Sequence, residues 1–148
     1  MPYNVFLVSR VEALCNCGVL GSGGSITNLA NSFRYDLNNE IFYNYWFLTD
    51  LVLSNVVVIK QMQTFAFTYN QAIRVGFVNG VSRGTVASSN RASTSNFNAI
   101  GTTQRGFTAP EYLISQIGEI IIFDSSLNTK ERRPIELYLE KKWSIKIN

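Results

Sequence analysis

Histidine is missing from this sequence of 148 residues, and cysteine occurs only twice. Histidine is the commonest general base near neutral pH and completes the Ser-His and Cys-His arrangements of nucleophilic catalysis, so its absence excludes both arrangements. A zinc site would need ligands beyond two cysteines. Asp50, Asp124 and loop asparagines offer oxygen ligands for calcium, but acidic residues do not cluster in any loop. We therefore expect no metal and no other cofactor.

The two cysteines, Cys15 and Cys17, stand two residues apart. In a β-strand this spacing makes both side chains point to the same face. The neighbouring residues do not favour a bridge, so we expect free thiols.

Charge of either sign is scarce. Charged residues make up 16% of the chain and the net charge is +3. The basic residues are scattered apart from two short groups at residues 130–133 and 141–146. This is not the basic face or stripe of a nucleic-acid-binding protein, so we expect no nucleic-acid partner.

Long apolar runs are absent as well. No stretch approaches the about 18 consecutive apolar residues of a membrane span. The apolar run at residues 5–8 is too short for a signal peptide. We expect no membrane span, and a chain that is cytoplasmic, assembled into a particle, or cut from a longer protein.

What the sequence does contain is many short β-patterned stretches. Hydrophobic residues make up 46% of the chain and aromatic residues 13%, enough for the core of one domain over residues 1–148. Asn79-Gly80 is the strongest hairpin signal, and Leu37-Asn38-Asn39 predicts a second hairpin between strands at residues 30–36 and 40–47. About ten short strands and one terminal helix predict an all-β, antiparallel jelly-roll sandwich.

The C-terminal segment is the most informative part of the chain. Residues 114–123 form an apolar run without strict alternation, which predicts a strand covered on both faces. A helix follows, with Asn128 as its N-cap and Glu131 as the capping-box carboxylate. Pro134 removes one helical hydrogen bond, so we expect a loose first turn and a regular helix from about Arg133.

This segment resembles the C-terminal end of laminin-G-like domains of the concanavalin A-like lectin/glucanase superfamily. The matching residues are Gly118 to Asp124, Leu127, Asn128, Glu131, Arg132, Ile135, Glu136, Tyr138, Leu139, Lys142 and Trp143. A hairpin with Tyr69 and Phe77 to Gly80 is also similar to the family pattern. The resemblance implies a concanavalin A-like sandwich in which the helix is scaffold, plugging one end, and Trp143 is a packing residue.

The chain departs from that family at its N-terminus. The family usually has a further strand ahead of the one matching residues 5–11, and it pairs with the strand matching residues 117–123. This sequence has no room for it, so that edge is either open or filled by another chain or an upstream segment. We therefore expect protein neighbours or a homo-oligomer assembled through that edge.

The catalytic carboxylates of the superfamily's glucanases are not found here. Those enzymes carry a spacing close to E-x-D-x-x-E, which places two carboxyl groups around the scissile bond. No acidic residues of this chain have that spacing. We expect no enzymatic activity.

Two functions stay open. The first is a structural or attachment module on a virion or particle surface, as a capsid, fibre or tail component. It follows from the open edge, the lack of a signal peptide and loops rich in Ser, Thr and Asn. The alternative is a lectin-like module that binds surface glycans.

The glycan alternative depends on an aromatic strand at residues 40–47. Its period of two puts Phe42, Asn44 and Trp46 on one face and Tyr43, Tyr45 and Phe47 on the other, and only one face can be core. Sugars stack on aromatic rings, and polar side chains bind their hydroxyls. An aromatic strand in a sandwich is, however, more often core than platform. The predicted site residues are Asn44, Tyr45, Trp46, Asp50, Arg91 and Arg105, with Asn90 as a further helper.

Overall fold

The computed structural model describes residues 1–23, 30–44, 50–87, 98–102 and 112–146, which form ten strands and one helix. The elements are β1 (Tyr3–Val11), β2 (Cys17–Gly23), β3 (Ala30–Tyr35), β4 (Ile41–Asn44), β5 (Leu51–Leu53), β6 (Met62–Tyr69), β7 (Ile73–Val78), β8 (Val81–Ala87), β9 (Asn98–Ile100), β10 (Ser115–Phe123) and α1 (Thr129–Trp143). No helix in these ranges is long and apolar enough to cross a membrane.

The strands form two antiparallel five-stranded sheets that pack face to face. Sheet A has the order β10-β1-β6-β7-β8, and sheet B has the order β5-β4-β3-β2-β9. Asn79 and Gly80 adopt positive φ angles of 47° and 77° in the β7–β8 turn, as predicted for this hairpin. The predicted β3–β4 hairpin is also present. The architecture confirms the predicted jelly-roll sandwich with one C-terminal helix.

The core between the sheets follows from the alternation of the strands. In β1, Val5 and Leu7 face sheet B, whereas Phe6 and Val8 face the helix. Aromatic rings fill the centre, and the rings of Phe33 and Phe67 lie 4.6 Å apart between their centroids. Each sheet therefore contributes large rings to one continuous apolar layer.

The sandwich is tightly closed along the edge formed by β5 and β8. A Cβ atom on Gly76 would lie 2.7 Å from Leu53 Cδ1, and one on Gly84 would lie 3.0 Å from Leu51 Cδ1. The missing side chains of the two glycines let β5 approach sheet A closely. The opposite edge, formed by β9 and β10, is wider.

Helix α1 begins with the predicted capping box. The Asn128 side chain accepts hydrogen bonds from the backbone N–H groups of Lys130 (2.8 Å) and Glu131 (3.2 Å), and the Asn128 N–H donates to Glu131 Oε2 (2.8 Å). The predicted loose first turn is wrong, because α1 is regular from Thr129 onward. Pro134 removes a single bond to the Lys130 carbonyl, and the cap stabilises the turn around that loss.

The helix packs against the outer face of sheet A. Leu139 is fully buried against Phe6, Val8 and Ala66, and the Trp143 ring lies over Gly118. The helix thus covers one face of β10, but on the other face Ile122 is 64% exposed, so the prediction that both faces are covered is only partly confirmed. The resemblance implied a helix that plugs one end of the sandwich, but α1 covers a sheet face instead.

The prediction of free thiols is wrong, because Cys15 and Cys17 form a disulfide. Cys15 precedes β2 instead of lying inside it, so the chain is not extended between the two residues. Their Cα atoms are 5.2 Å apart, which is shorter than two residues of extended strand and within the range of a disulfide.

Glu119 fastens the helix to β10. Its carboxylate accepts hydrogen bonds from Trp143 Nε1 (2.9 Å) and the Tyr138 hydroxyl (3.0 Å), and Lys142 Nζ lies 3.0 Å away. The Trp143 hydrogen bond is the largest cause of a lowered Glu119 pKa. Together with the Lys142 and Tyr138 contacts it outweighs the opposing effect of desolvation, so the pKa lies below its usual 4.5. The ionised carboxylate is therefore the form that the fold stabilises.

We expect this contact to make stability depend on pH in the acid range. A group with a lowered pKa in the folded state contributes fully above its unfolded pKa of 4.5, and the contribution is lost as pH falls through the folded pKa. The difference in unfolding free energy between wild type and Glu119→Gln should be largest at neutral pH and shrink below pH 4.5. Urea unfolding of both proteins at neutral pH and in acid below pH 4.5 measures this difference. Glu140→Gln, in helix α1, is the control for the loss of one carboxylate. If the difference in unfolding free energy between wild type and Glu119→Gln did not depend on pH, the role assigned to the Glu119 carboxylate would be contradicted.

Candidate functional site

Sheet B turns a mixed aromatic and cationic face away from the core. In β3, β4 and β5 the residues Phe33, Tyr35, Ile41, Tyr43, Leu51 and Leu53 are buried against sheet A. The residues between them, Arg34, Phe42 and Val52, therefore face outward. We call these three residues the outer row.

The outer row lies straight across three neighbouring strands. Arg34 pairs with Phe42, and Phe42 pairs with Val52. The Arg34 guanidinium carbon is 5.7 Å from the centroid of the Phe42 ring, within cation–π distance. Arg34 and Phe42 are half-buried, and Val52 is exposed. The row combines a fixed guanidinium, a ring and an apolar patch on rigid strands.

Two of the predicted site residues stand beside this row. Asn44 ends β4, where its backbone pairs with Ser32, and Asp50 immediately precedes β5. Because Tyr43 pairs with Leu51, the register brings positions 44 and 50 together alongside the row, next to Phe42 and Val52. Tyr45, Trp46, Asn90, Arg91 and Arg105 lie outside the described residues, so the predicted site as a whole stays a prediction.

The structure decides which face of β4 is core. Tyr43 stacks on Phe33 with ring centroids 4.8 Å apart, and its hydroxyl is hydrogen-bonded to that of Tyr3. From the other sheet, the fully buried Arg74 donates from Nη1 to the Tyr43 carbonyl (2.7 Å). These contacts hold β4 from inside and leave Phe42 on the outward face.

Arg34 and Val52 are candidate residues that the sequence analysis missed. Arg34 stands between Phe33 and Tyr35, two buried aromatic residues of the same strand. A charged residue flanked by aromatic ones in a β-pattern indicates an outward position, and that signal could have identified it. Val52 carries no comparable signal.

A second concave surface lies between β9 and β10. This crevice has a volume of about 880 Å³ and is lined mainly by apolar side chains of both sheets, among them Val5, Leu20, Phe33, Ile100 and Ile122. Its few polar contacts include Tyr3, whose hydroxyl donates to Asn31 Oδ1 at 3.1 Å. A surface this apolar suits a hydrophobic occupant better than a hydroxylated one.

The mapped ranges contain no cluster of metal-ligating side chains. No group of three or more His, Cys, Asp or Glu residues within them is arranged to hold a metal ion. The Glu119 carboxylate accepts hydrogen bonds from Tyr138 and Trp143 of the helix.

No protein-family model matches the sequence, and no curated protein matches it. Solved structures do match its fold. A carbohydrate-binding domain of the CBM40 type from a Ruminococcus gnavus sialidase, bound to α2,3-sialyllactose, superposes with a TM-score of 0.74 at 12% identity, over 91% of this chain and 82% of that chain. The NanB sialidase of Streptococcus pneumoniae matches with a TM-score of 0.74 at 15% identity, over 90% of this chain.

The match extends to a third kind of protein. A heptameric pentraxin from Limulus polyphemus has a TM-score of 0.61 at 12% identity, over 86% of this chain and 66% of that chain. The chain spans only 23% of the length of NanB. At these identities the likeness concerns the fold alone, so the chain shares the jelly-roll sandwich of carbohydrate-binding domains and a pentraxin.

Proposed function

We propose that this chain is a non-enzymatic carbohydrate-binding module whose ligand lies on the outer row of sheet B. The observation that carries the proposal is the pairing of Arg34 with Phe42 on the outward face, with Val52 exposed beside them. The ring and the valine offer an apolar surface to the C–H face of a sugar. The guanidinium offers several N–H donors to its oxygens.

The ligand class that this row fits best is an acidic glycan. A guanidinium binds a carboxylate with two parallel hydrogen bonds, a geometry that lysine cannot reproduce. The net charge of +3 is compatible with an anionic ligand. Support also comes from the CBM40 domain of similar fold, which is bound to sialyllactose. The proposal therefore favours sialylated over neutral oligosaccharides.

A binding role without catalysis agrees with the sequence and with the extent of the structural matches. The chain has no histidine and no carboxylates at the glucanase spacing. It matches a binding domain over 82% of that domain, but sialidases such as NanB over only 23% of their length. We also propose membership of the concanavalin A-like superfamily, with the laminin-G-like pattern of the C-terminal segment as its support.

The structural role in a virion, the particle-surface location and the single domain over residues 1–148 stay predictions from the sequence. They are compatible with glycan binding, because an attachment module can bind a surface glycan. The comparisons favour the glycan alternative over the virion component, since a similar fold is found in a sugar-bound domain.

Isothermal titration calorimetry with 3′-sialyllactose and with lactose tests the proposal. We expect wild type to bind sialyllactose more tightly than lactose. Arg34→Ala should weaken binding about 10- to 100-fold, because a hydrogen bond to a charged group contributes about 1.5–3 kcal/mol. Arg83→Ala, at an exposed position of β8 in the other sheet, serves as the matched control and should bind like wild type. Unchanged affinity in folded Arg34→Ala, or no binding of either sugar by wild type, would refute the proposal.

A further inference from the structure

Strand β10 is an edge strand with few of the features that usually protect an edge, namely one charged residue, Glu119, and one register shift against β1. In the part of the chain that the structure describes, β10 pairs with β1 and with no other strand. Its sequence, SQIGEIIIF, contains no lysine and no proline, the residues that commonly block edge-to-edge pairing. About every second one of its nine residues thus presents a backbone N–H and C=O on the unpaired side.

The other edge of sheet A looks different. Strand β8 exposes Ser82, Arg83 and Thr85, so its side chains are polar and one is charged. Gly76 and Gly84 also pack closely against the leucines of β5 there. The contrast indicates that β8 is built to face water and β10 is built to be covered.

The apolar crevice runs directly beside the β10 edge. Ile120 and Ile122 line it from β10, and Ile100 lines it from β9. Ile122 is 64% exposed and Ile100 is 69% exposed, so each of the two strands that border the crevice, here called its lips, presents an isoleucine to solvent. At the far end the Leu113 N–H donates to the Gly101 carbonyl (2.9 Å), which ties the two sheet edges together.

We propose that β10 pairs antiparallel with β10 of a second copy of this chain, across a two-fold axis. The pairing would join sheet A of both copies into one continuous sheet. It would satisfy the edge backbone groups of both chains, and bring their two crevices face to face so that each copy covers the exposed Ile122 of the other. A two-fold interface uses the same patch twice, so the patch must be compatible with itself.

The charges of β10 meet that requirement. Glu119 is the only charged residue of the strand, and Lys142 of the same chain lies 3.0 Å from its carboxylate. Two copies therefore bring together two carboxylate–ammonium pairs of zero net charge instead of two bare like charges. From Ile120 to Phe123 the strand is entirely apolar, and cross-strand pairs of such residues stabilise antiparallel sheets.

Light scattering coupled to size-exclusion chromatography, from micromolar to millimolar protein, tests the dimer. We expect wild type to show the mass of two chains. Ile122→Lys should raise the dissociation constant at least about tenfold, because it places an unpaired ammonium in an apolar interface. The fold should tolerate this change, because Ile122 is largely exposed in the single chain. Thermal unfolding of the variant checks that point.

Leu37→Lys is the matched control. Leu37 is 58% exposed in the β3–β4 turn, far along the chain from either lip, so this variant should remain dimeric. A wild-type protein that is monomeric at millimolar concentration overturns the proposal. So does a folded Ile122→Lys variant that still dimerises, or a mass that grows beyond two chains with concentration. Glycan binding is measured separately on the outer row of the other sheet, so either proposal can fail alone.

Discussion

Replacing Leu139 by alanine should lower the free energy of unfolding by about 2–5 kcal/mol, the usual cost of emptying a buried leucine site. Leu139 is fully buried and is the central contact between α1 and the outer face of sheet A. Its neighbours there, Phe6 and Val8, belong to β1, an interior strand of sheet A, which limits how far the site can collapse. Against a typical stability of about 5–15 kcal/mol, this loss is large. Urea unfolding followed by fluorescence measures it.

Leu137→Ala provides a control of the same residue type on the same helix. Leu137 is 47% exposed, so its truncation should change stability by no more than about 0.5 kcal/mol. Both variants lose the same side-chain atoms from the same helix, and the two sites differ only in how deeply the leucine is buried. Equal effects for both would show that α1 does not pack on sheet A as described.

Replacing Asn4 by leucine should have the opposite sign and stabilise the protein by about 1–3 kcal/mol, the cost of a buried polar group without a partner. Asn4 is fully buried in β1, between Phe123 of β10 and Thr68 of β6 in the register. Within the described residues neither atom of its side-chain amide makes a hydrogen bond. Leucine has the same number and branching of side-chain heavy atoms as asparagine, and it buries no polar atom there. Chemical denaturation gives the difference directly.

Asn4→Asp is the informative companion variant. It keeps the shape but introduces a charge where no partner is in reach, so it should destabilise the protein at neutral pH. Its deficit should shrink in acid as the carboxyl group becomes protonated. A leucine variant less stable than wild type would mean that the Asn4 amide is hydrogen-bonded in solution.

The parts of the fold that local chemistry determines could be predicted from the sequence. Asn79-Gly80 forms its hairpin because both residues tolerate positive φ. Asn128 and Glu131 form the capping box because a spacing of three residues lets each side chain reach the backbone N–H of the other. The number of short strands and the single helix then left few alternatives to a sandwich.

What sequence analysis missed depends on contacts between distant residues. A period of two gives β4 two equivalent faces, and the packing of Tyr43 against Phe33 and Tyr3 is what makes Phe42 the outward residue. The Cys15–Cys17 disulfide depends on a bend before β2 that the residue pattern did not predict. The tolerance of Pro134 depends on the cap and on helix packing. Arg34 was overlooked because the aromatic residues around β4 dominated the pattern.

The most direct test of the central claim is an NMR titration of the labelled protein with 3′-sialyllactose. If the outer row binds the glycan, the backbone amides of β3, β4 and β5 around Arg34, Phe42 and Val52 should shift in a saturable way. The amides of β9 and β10 along the crevice should stay unchanged. Saturable shifts confined to the crevice, or no shifts at all, would contradict a carbohydrate-binding role for the outer face of sheet B.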